Sequence, residues 1–168
     1  MPAEIVINEV MADPFLESTG EFVELYNAGV DSADLSGWIL GDLKDHNDVL
    51  IDYTDTFDSG AAGTVIYPGQ YALIVDPGYT GTYNHIIEAY TDQNKFIMLT
   101  IQGDQTLGNG LGKSGDAIYL EFNGRRMDTF NWQRSAGGNG ISWEKKEVMV
   151  EDSESNRAPS EHISGSTP

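Results

Sequence analysis

The chain has 168 residues, the usual size of one globular domain, and a chain of this length folds without needing disulfides or a metal. Its 27 acidic and 9 basic residues give a formal net charge of −18, which repels nucleic-acid phosphates and anionic membrane surfaces. It contains no cysteine, so a thiol nucleophile, a disulfide scaffold and a cysteine zinc site are excluded.

Short apolar or alternating segments, bounded by glycine, proline and asparagine, predict an all-β domain. The predicted strands are 4–10, 21–27, 37–41, 49–53, 70–75, 96–101, 117–122, 125–132 and 140–145. In the second strand, Val23 and Leu25 share one face, and Phe22, Glu24 and Tyr26 share the other. Seven to nine short strands with frequent turns are typical of a β-sandwich.

The clearest predicted element is a hairpin over 117–132 that turns at Asn123-Gly124. A two-residue Asn-Gly turn favours positive φ at both positions and fixes the register of the strands. This register places Leu120 opposite Met127. The predicted inward face consists of Ile118, Leu120, Phe122 and Met127.

Two segments interrupt the strands with long predicted loops. Residues 42–64 carry an aspartate every three or four positions, and a helix would place those charges on one face. Residues 103–115 are rich in glycine, and 108–114 superficially resemble a phosphate-binding loop. A phosphate loop is followed by a helix, whereas a strand follows here, so we predict an ordinary flexible loop.

Calcium is the cofactor that the acidic loop could hold, because calcium takes six to eight oxygen ligands from carboxylates and amides. The candidate ligands are Asp42, Asp45, Asn47 and Asp48. An EF-hand pattern is absent from the sequence, and a solvated acidic loop is the alternative interpretation. No other cofactor is expected.

The predicted organisation is one sandwich over 1–150, followed by an extended arm or linker over 151–168. The arm is polar and ends in Gly-Ser-Thr-Pro. We expect the chain to be a piece trimmed from a longer protein.

The order of motifs resembles the lamin tail domain in its bacterial form. The motifs are INEV at 7–10, EFVELYN at 21–27, DLSGWIL at 34–40, PGQ at 68–70, SGDAIYL at 114–120 and GISWE at 140–144. The resemblance implies an immunoglobulin-like β-sandwich. Residues 42–64 and 79–110 are longer than the family minimum and are therefore expected to be long loop insertions. It also implies a non-enzymatic accessory module of a secreted or cell-surface protein, with no catalytic residues to transfer to this chain. The extracellular or cell-surface location rests on the resemblance, since we find no signal peptide in the chain.

The expected role is therefore protein interaction or architectural spacing, with a protein or an extracellular polymer as partner and neither nucleic acid nor membrane insertion. A carbohydrate-binding or calcium-dependent adhesion module is the first alternative. Tyr79, Tyr83 and Tyr90 are the candidate sugar-stacking rings, whereas Trp38 and Trp143 fit a core role.

A small hydrolase is the second alternative, because retaining glycosidases use two neighbouring carboxyls. Glu9, Glu24 and Glu121 lie on predicted strands and could approach one another. Alternation equally predicts outward-facing polar residues there. The three histidines are far apart in sequence and form no recognisable catalytic motif.

Overall fold

The structure is a computed structural model that describes residues 4–42, 47–53, 63–79 and 96–160. The strands are β1 (Ile5–Met11), β2 (Phe22–Asn27), β3 (Ala33–Asp34), β4 (Ile39–Asp42), β5 (Asn47–Asp52), β6 (Val65–Ile66), β7 (Tyr71–Val75), β8 (Phe96–Gln102), β9 (Asp116–Phe122), β10 (Arg125–Trp132), β11 (Trp143–Lys145) and β12 (Arg157–Pro159). A short 3-10 helix, Glu154–Asn156, precedes β12. No helix within these ranges is long and apolar enough to span a membrane.

The all-β prediction is confirmed, but twelve strands in the described ranges exceed the predicted seven to nine. Each of the nine predicted strands has a counterpart, with bounds that differ by up to three residues. The additional strands are β3, β6 and β12, which contain only two or three residues. Strands this short show no alternation of apolar and polar residues, so the sequence gives no signal for them.

Ten strands form one sheet in the order β10-β9-β4-β5-β8-β7-β2-β1-β11-β12, and β3 pairs with β6. Among the strand pairs in the described ranges, β7 and β8 are the one parallel pair. The sheet curls until β10 lies against β1, where the Ile7 N–H donates to Asp128 Oδ2 at 2.8 Å. The two halves of the curled sheet therefore enclose one core, as in a β-sandwich.

The predicted alternation in β2 is confirmed by the two apolar clusters of the fold. Val23 and Leu25 point into the main core, together with Trp38, Trp132 and other residues of both halves. Phe22 points to the opposite face and joins a second cluster with neighbours from β7 and β8. The central strands are therefore covered on both faces.

The hairpin turn is confirmed, because Asn123 and Gly124 have φ values of 51° and 74°. The predicted register holds only next to the turn. A β-bulge between Arg126 and Asp128 shifts the pairing, so Leu120 faces Asp128 instead of Met127.

The bulge also changes which residues of β10 point inward. Phe130 and Trp132 are buried in the main core, whereas Met127 is only partly buried beside it. Phe122, predicted to point inward, is 39% exposed and stacks on Trp38 with the ring centroids 4.8 Å apart. The inward assignment of Ile118 and Leu120 is correct.

Part of the predicted C-terminal arm belongs to the sheet. Residues 157–159 form β12 and pair with β11. Arg157 Nε lies 3.0 Å from Asp152 Oδ1, and Asp152 Oδ2 accepts from the Asn131 N–H of β10 at 2.9 Å. Residues 161–168 lie outside the described part of the chain.

Candidate functional site

Buried carboxylates surround the glycine-rich loop at one end of the sandwich. Asp42 ends β4 and Asp48 lies in β5, so both come from one half of the sheet. Glu21 precedes β2 and Asp76 follows β7, so both come from the other half. All four are at least 92% buried, which is unusual for acidic residues.

Three of these carboxylates accept hydrogen bonds from the backbone of the loop 103–115. The Leu107 N–H donates to Asp76 at 2.9 Å, and the Leu111 N–H donates to Glu21 at 3.0 Å. The Gly108 N–H donates to Asp48 at 2.6 Å. The two leucines are buried in the main core, so the loop is fixed by apolar contacts on one side and by carboxyl acceptors on the other.

Glycine is required at position 108 for two reasons. Its φ of +57° lies in the left-handed region, and a Cβ there would lie 3.3 Å from Asp42 Oδ2. The backbone of the loop therefore passes directly over the carboxylates. The resemblance to a phosphate loop is rejected by this geometry, because the protein's own carboxylates occupy N–H groups that a phosphate would need.

Burial raises the pKa values of two carboxyls under the loop. The pKa of Glu21 is raised to about 8, first by burial and then by the charges of Asp76, Glu17 and Asp116. The pKa of Asp76 is raised to about 6, again mainly by burial. Glu21 is thus largely protonated at neutral pH, which lowers the cost of keeping four carboxyls together.

The structure describes three of the four candidate calcium ligands. Asp42 and Asp48 point into the fold rather than lying on a surface loop, and Asp48 binds the Gly108 N–H. The Asn47 side chain accepts from the Tyr119 hydroxyl at 2.7 Å. Asp45 lies outside the described residues. Across the described ranges, no three His, Asp or Glu side chains are grouped so that they could hold a metal ion.

The structure brings together two of the three glutamates considered for hydrolysis. Glu9 and Glu24 are cross-strand partners on β1 and β2, and both are fully buried. Burial, and then the charge of Glu9, raise the pKa of Glu24 well above its usual value. Glu121 lies on β9 beside Ile39 and Arg126, in the other half of the sheet.

The glutamate pair binds the protein itself. Glu24 Oε1 accepts from the Asn8 side chain at 2.7 Å, and Glu9 accepts a short hydrogen bond from the Ser142 hydroxyl. Neither carboxyl is among the residues that line the two grooves described below. Paired carboxyls that a substrate cannot reach do not form a glycosidase site.

The aromatic side chains have mainly structural roles. Trp38 and Trp143 lie in the core as predicted. Tyr79, predicted as a sugar-stacking ring, is only 5% exposed and packs edge-on against Tyr53. That prediction is wrong for Tyr79, because its faces are covered. Tyr83 and Tyr90 lie outside the described residues, as do His46, His85 and His162.

Two open grooves run beside β10. The first has a volume of about 360 Å³, and its walls are Arg126, Met127, Asp128, Thr129, Asn131, Glu151 and Asp152. The second has a volume of about 230 Å³, and its walls are Asn131, Gln133, Arg134, Trp143, Ser153, Glu154 and Arg157. Both are polar, and both are formed where the C-terminal segment 151–157 packs against β10.

A buried ion pair lies behind the larger groove and was not predicted from the sequence. Lys145 Nζ of β11 lies 2.9 Å from Asp128 Oδ2 of β10. The sequence does indicate that Lys145 points inward. Trp143 is a predicted core residue, and Lys145 follows it by two positions on the same face of a strand. The position of Asp128 could not be anticipated, because it depends on the bulge.

A sequence model of the Lamin Tail Domain family matches residues 1–134. No curated protein and no solved structure matches the chain. The matched region holds β1 to β10, including both halves of the sandwich and the carboxylates under the loop. The match covers well over half of the sequence, and the chain therefore belongs to the Lamin Tail Domain family.

Proposed function

We propose that this chain is a non-catalytic interaction or architectural module of a larger secreted or cell-surface bacterial protein. The observation that supports the proposal is that the buried carboxyls with raised pKa values bind groups of the protein itself. Glu21 and Asp76 bind the loop backbone, and Glu24 accepts from Asn8. An active site instead directs such groups toward a cleft where a substrate can bind.

The charge of the chain supports a partner that is a protein or an uncharged extracellular polymer. A net charge of −18 opposes close approach to phosphate backbones and to anionic lipids. Loops at the ends of a rigid sandwich are the usual place for contacts. Phe15 and Leu16, in the loop between β1 and β2, are 69% and 48% exposed and offer an apolar contact at one end.

The experiment that tests the proposal removes residues 1–160 from the full-length protein and measures two properties. We expect the turnover of any neighbouring enzyme domain on a soluble substrate to stay unchanged. We expect retention of the protein on the outer surface of intact cells, measured with an antibody, to fall several-fold.

A point variant replaces Phe15 and Leu16 by serine in the otherwise complete protein. These side chains are exposed, so the fold should be preserved while retention falls if the loop makes the contact. Loss of soluble-substrate turnover in the deletion variant would contradict a non-catalytic role. An antibody signal only after the cells are permeabilised would contradict the proposed location.

A further inference from the structure

The ion pair between Lys145 and Asp128 is buried more deeply than a surface salt bridge. The Lys145 side chain is 1% exposed and the Asp128 side chain is 16% exposed. The distance from Nζ to Oδ2 is 2.9 Å. An ion pair in the interior carries a large desolvation cost and is only a weak source of stability.

The bulge in β10 creates this pair. Because Asp128 is opposite the buried Leu120, it points inward with Phe130. Lys145 is paired with Arg157 of β12 and points inward two residues after Trp143. Two strands on different sides of the curled sheet thus bring an amine and a carboxyl into contact.

The carboxyl of Asp128 is held in a fixed orientation by the backbone. Its Oδ1 accepts from the Thr129 N–H at 2.8 Å, and its Oδ2 accepts from the Ile7 N–H at 2.8 Å. Backbone N–H groups aimed at a carboxyl oxygen stabilise negative charge that develops there during nucleophilic attack on the carbon. The carboxyl carbon of Asp128 therefore lies beside the amine of Lys145, in a position where the amine can attack it.

A second carboxyl lies next to the pair. Asp152 binds Asn131 of β10 and experiences the charges of both Lys145 and Asp128. Burial raises its pKa above the usual value. A carboxyl of this kind holds a proton more readily than an ordinary aspartate and can relay it.

We propose that Lys145 and Asp128 condense to form an intramolecular isopeptide bond between Nζ and Cγ. The Nζ lone pair attacks Cγ after the ammonium has passed one proton to a carboxylate oxygen. The Cγ–Oδ2 bond then breaks, and Oδ2 leaves as water with two protons that came from the ammonium. The product is a neutral amide, and no oxidant, cofactor or further reactant is needed.

The fold supplies what this reaction requires. Fixing the two groups in contact corresponds to an effective concentration that reaches about 10⁵ M or more in well-oriented systems. The amide removes two charges from the interior and with them their desolvation cost. Asp128 also lines the larger groove, which gives the released water a route to solvent.

The test is the intact mass of the purified wild-type chain, measured after denaturation. The bond lowers the mass by one water, about 18 Da, relative to the sequence. Trypsin should then yield residues 127–134 joined to residues 135–146, because the modified Lys145 is no longer cleaved. A mass equal to that of the sequence, with 127–134 recovered as a free peptide, would overturn the proposal.

Two variants assign the mass loss to this pair. Lys145→Arg keeps the charge but removes the nucleophile, so its mass should equal the sequence mass. Lys146→Arg changes the adjacent, exposed lysine and should retain the loss. A loss that persists in Lys145→Arg would place the dehydration elsewhere and refute the bond. If Lys145→Arg fails to fold, the tryptic peptides of the wild-type chain still show whether residues 127–134 are joined to residues 135–146.

The part played by Asp152 is tested by the rate of bond formation in chain newly made by cell-free translation. We expect Asp152→Asn to slow the loss of mass at least ten-fold. Glu151→Gln is the matched control, since Glu151 is exposed and lines the same groove. Equal rates for the two variants would remove Asp152 from the reaction.

Discussion

Acidic side chains inside the sandwich serve as acceptors for a loop that has few other partners. The glycine-rich loop lacks a strand to pair with, yet its N–H groups are buried and must be satisfied. Asp48, Asp76 and Glu21 provide acceptors that a neutral core could not offer. Burial of these carboxyls raises the pKa values of Glu21 and Asp76. The free energy of unfolding should therefore depend on pH.

The raised pKa of Glu21 sets the direction of this pH dependence. Its pKa is about 8 in the folded chain and near 4.5 when unfolded, so between these values only the folded state keeps the proton. The free energy of unfolding should therefore fall as pH rises from about 4.5 to 8, by about 2–4 kcal/mol, and then level off. Urea unfolding at a series of pH values measures this decline.

The variant Glu21→Gln isolates the contribution of this residue. A glutamine oxygen can still accept from the Leu111 N–H, but it does not titrate, so most of the decline between pH 6 and 8 should disappear. Asp76, whose pKa is about 6, should keep part of the slope below that pH. Glu147→Gln changes an exposed side chain and should follow the wild-type curve. An unchanged slope in Glu21→Gln would contradict the raised pKa.

The bulge in β10 decides which residues of that strand face the core. Side chains alternate along a strand, so one extra residue exchanges the inward and outward sets. Here Met127 is the extra residue, and accommodating it in the bulge keeps Phe130 and Trp132 pointing into the core. The same shift points Asp128 toward Lys145.

Inserting one alanine between Asp128 and Thr129 should therefore prevent folding. The insertion would exchange the inward and outward sets beyond it and turn Phe130 and Trp132 outward. Losing a buried aromatic side chain costs about 3–5 kcal/mol each. That loss is comparable to the whole stability of an average domain, about 5–15 kcal/mol. Near-ultraviolet circular dichroism should show the loss of fixed aromatic packing.

Met127→Ala is the control because it preserves the register. Met127 is only partly buried, so this variant should lose less than about 2 kcal/mol and keep its aromatic signal. An insertion variant with native aromatic packing would mean that β10 absorbs an extra residue without changing which side chains face the core.

The sequence predicts the long strands and the Asn-Gly turn because both have local signatures. The bulge has none, since neither a glycine nor a proline stands among Arg126, Met127 and Asp128 to mark it. The contact between Glu21 and Leu111 spans 90 positions, so it depends on how the whole sheet curls. For this reason the sequence predicts an acidic surface loop at Asp42 and Asp48, whereas the buried positions and the partners of these residues depend on the folded sheet.

At the scale of the whole molecule, the sheet extends beyond the region matched by the family model. That match ends at residue 134, whereas β11 and β12 continue the sheet beside β1. Trp143 of β11 is buried in the main core. The C-terminal segment also supplies Asp152, whose carboxylate binds the N–H and side chain of Asn131 on the edge strand β10. Capping an exposed edge in this way hinders pairing with other chains.

Truncation tests whether residues 151–160 are structural. A chain that ends at residue 150 loses β12, the Asp152–Asn131 bonds and the buried Asn156, which donates to the Glu147 and Val150 carbonyls. At about 1 kcal/mol for each net hydrogen bond, and about 2–4 °C per kcal/mol, its melting temperature should fall by about 10 °C or more. A chain that ends at residue 160 keeps all twelve strands and provides the reference in differential scanning calorimetry. Equal melting temperatures would mean that the segment rests on the sandwich without stabilising it, and the edge of β10 would then need another cover.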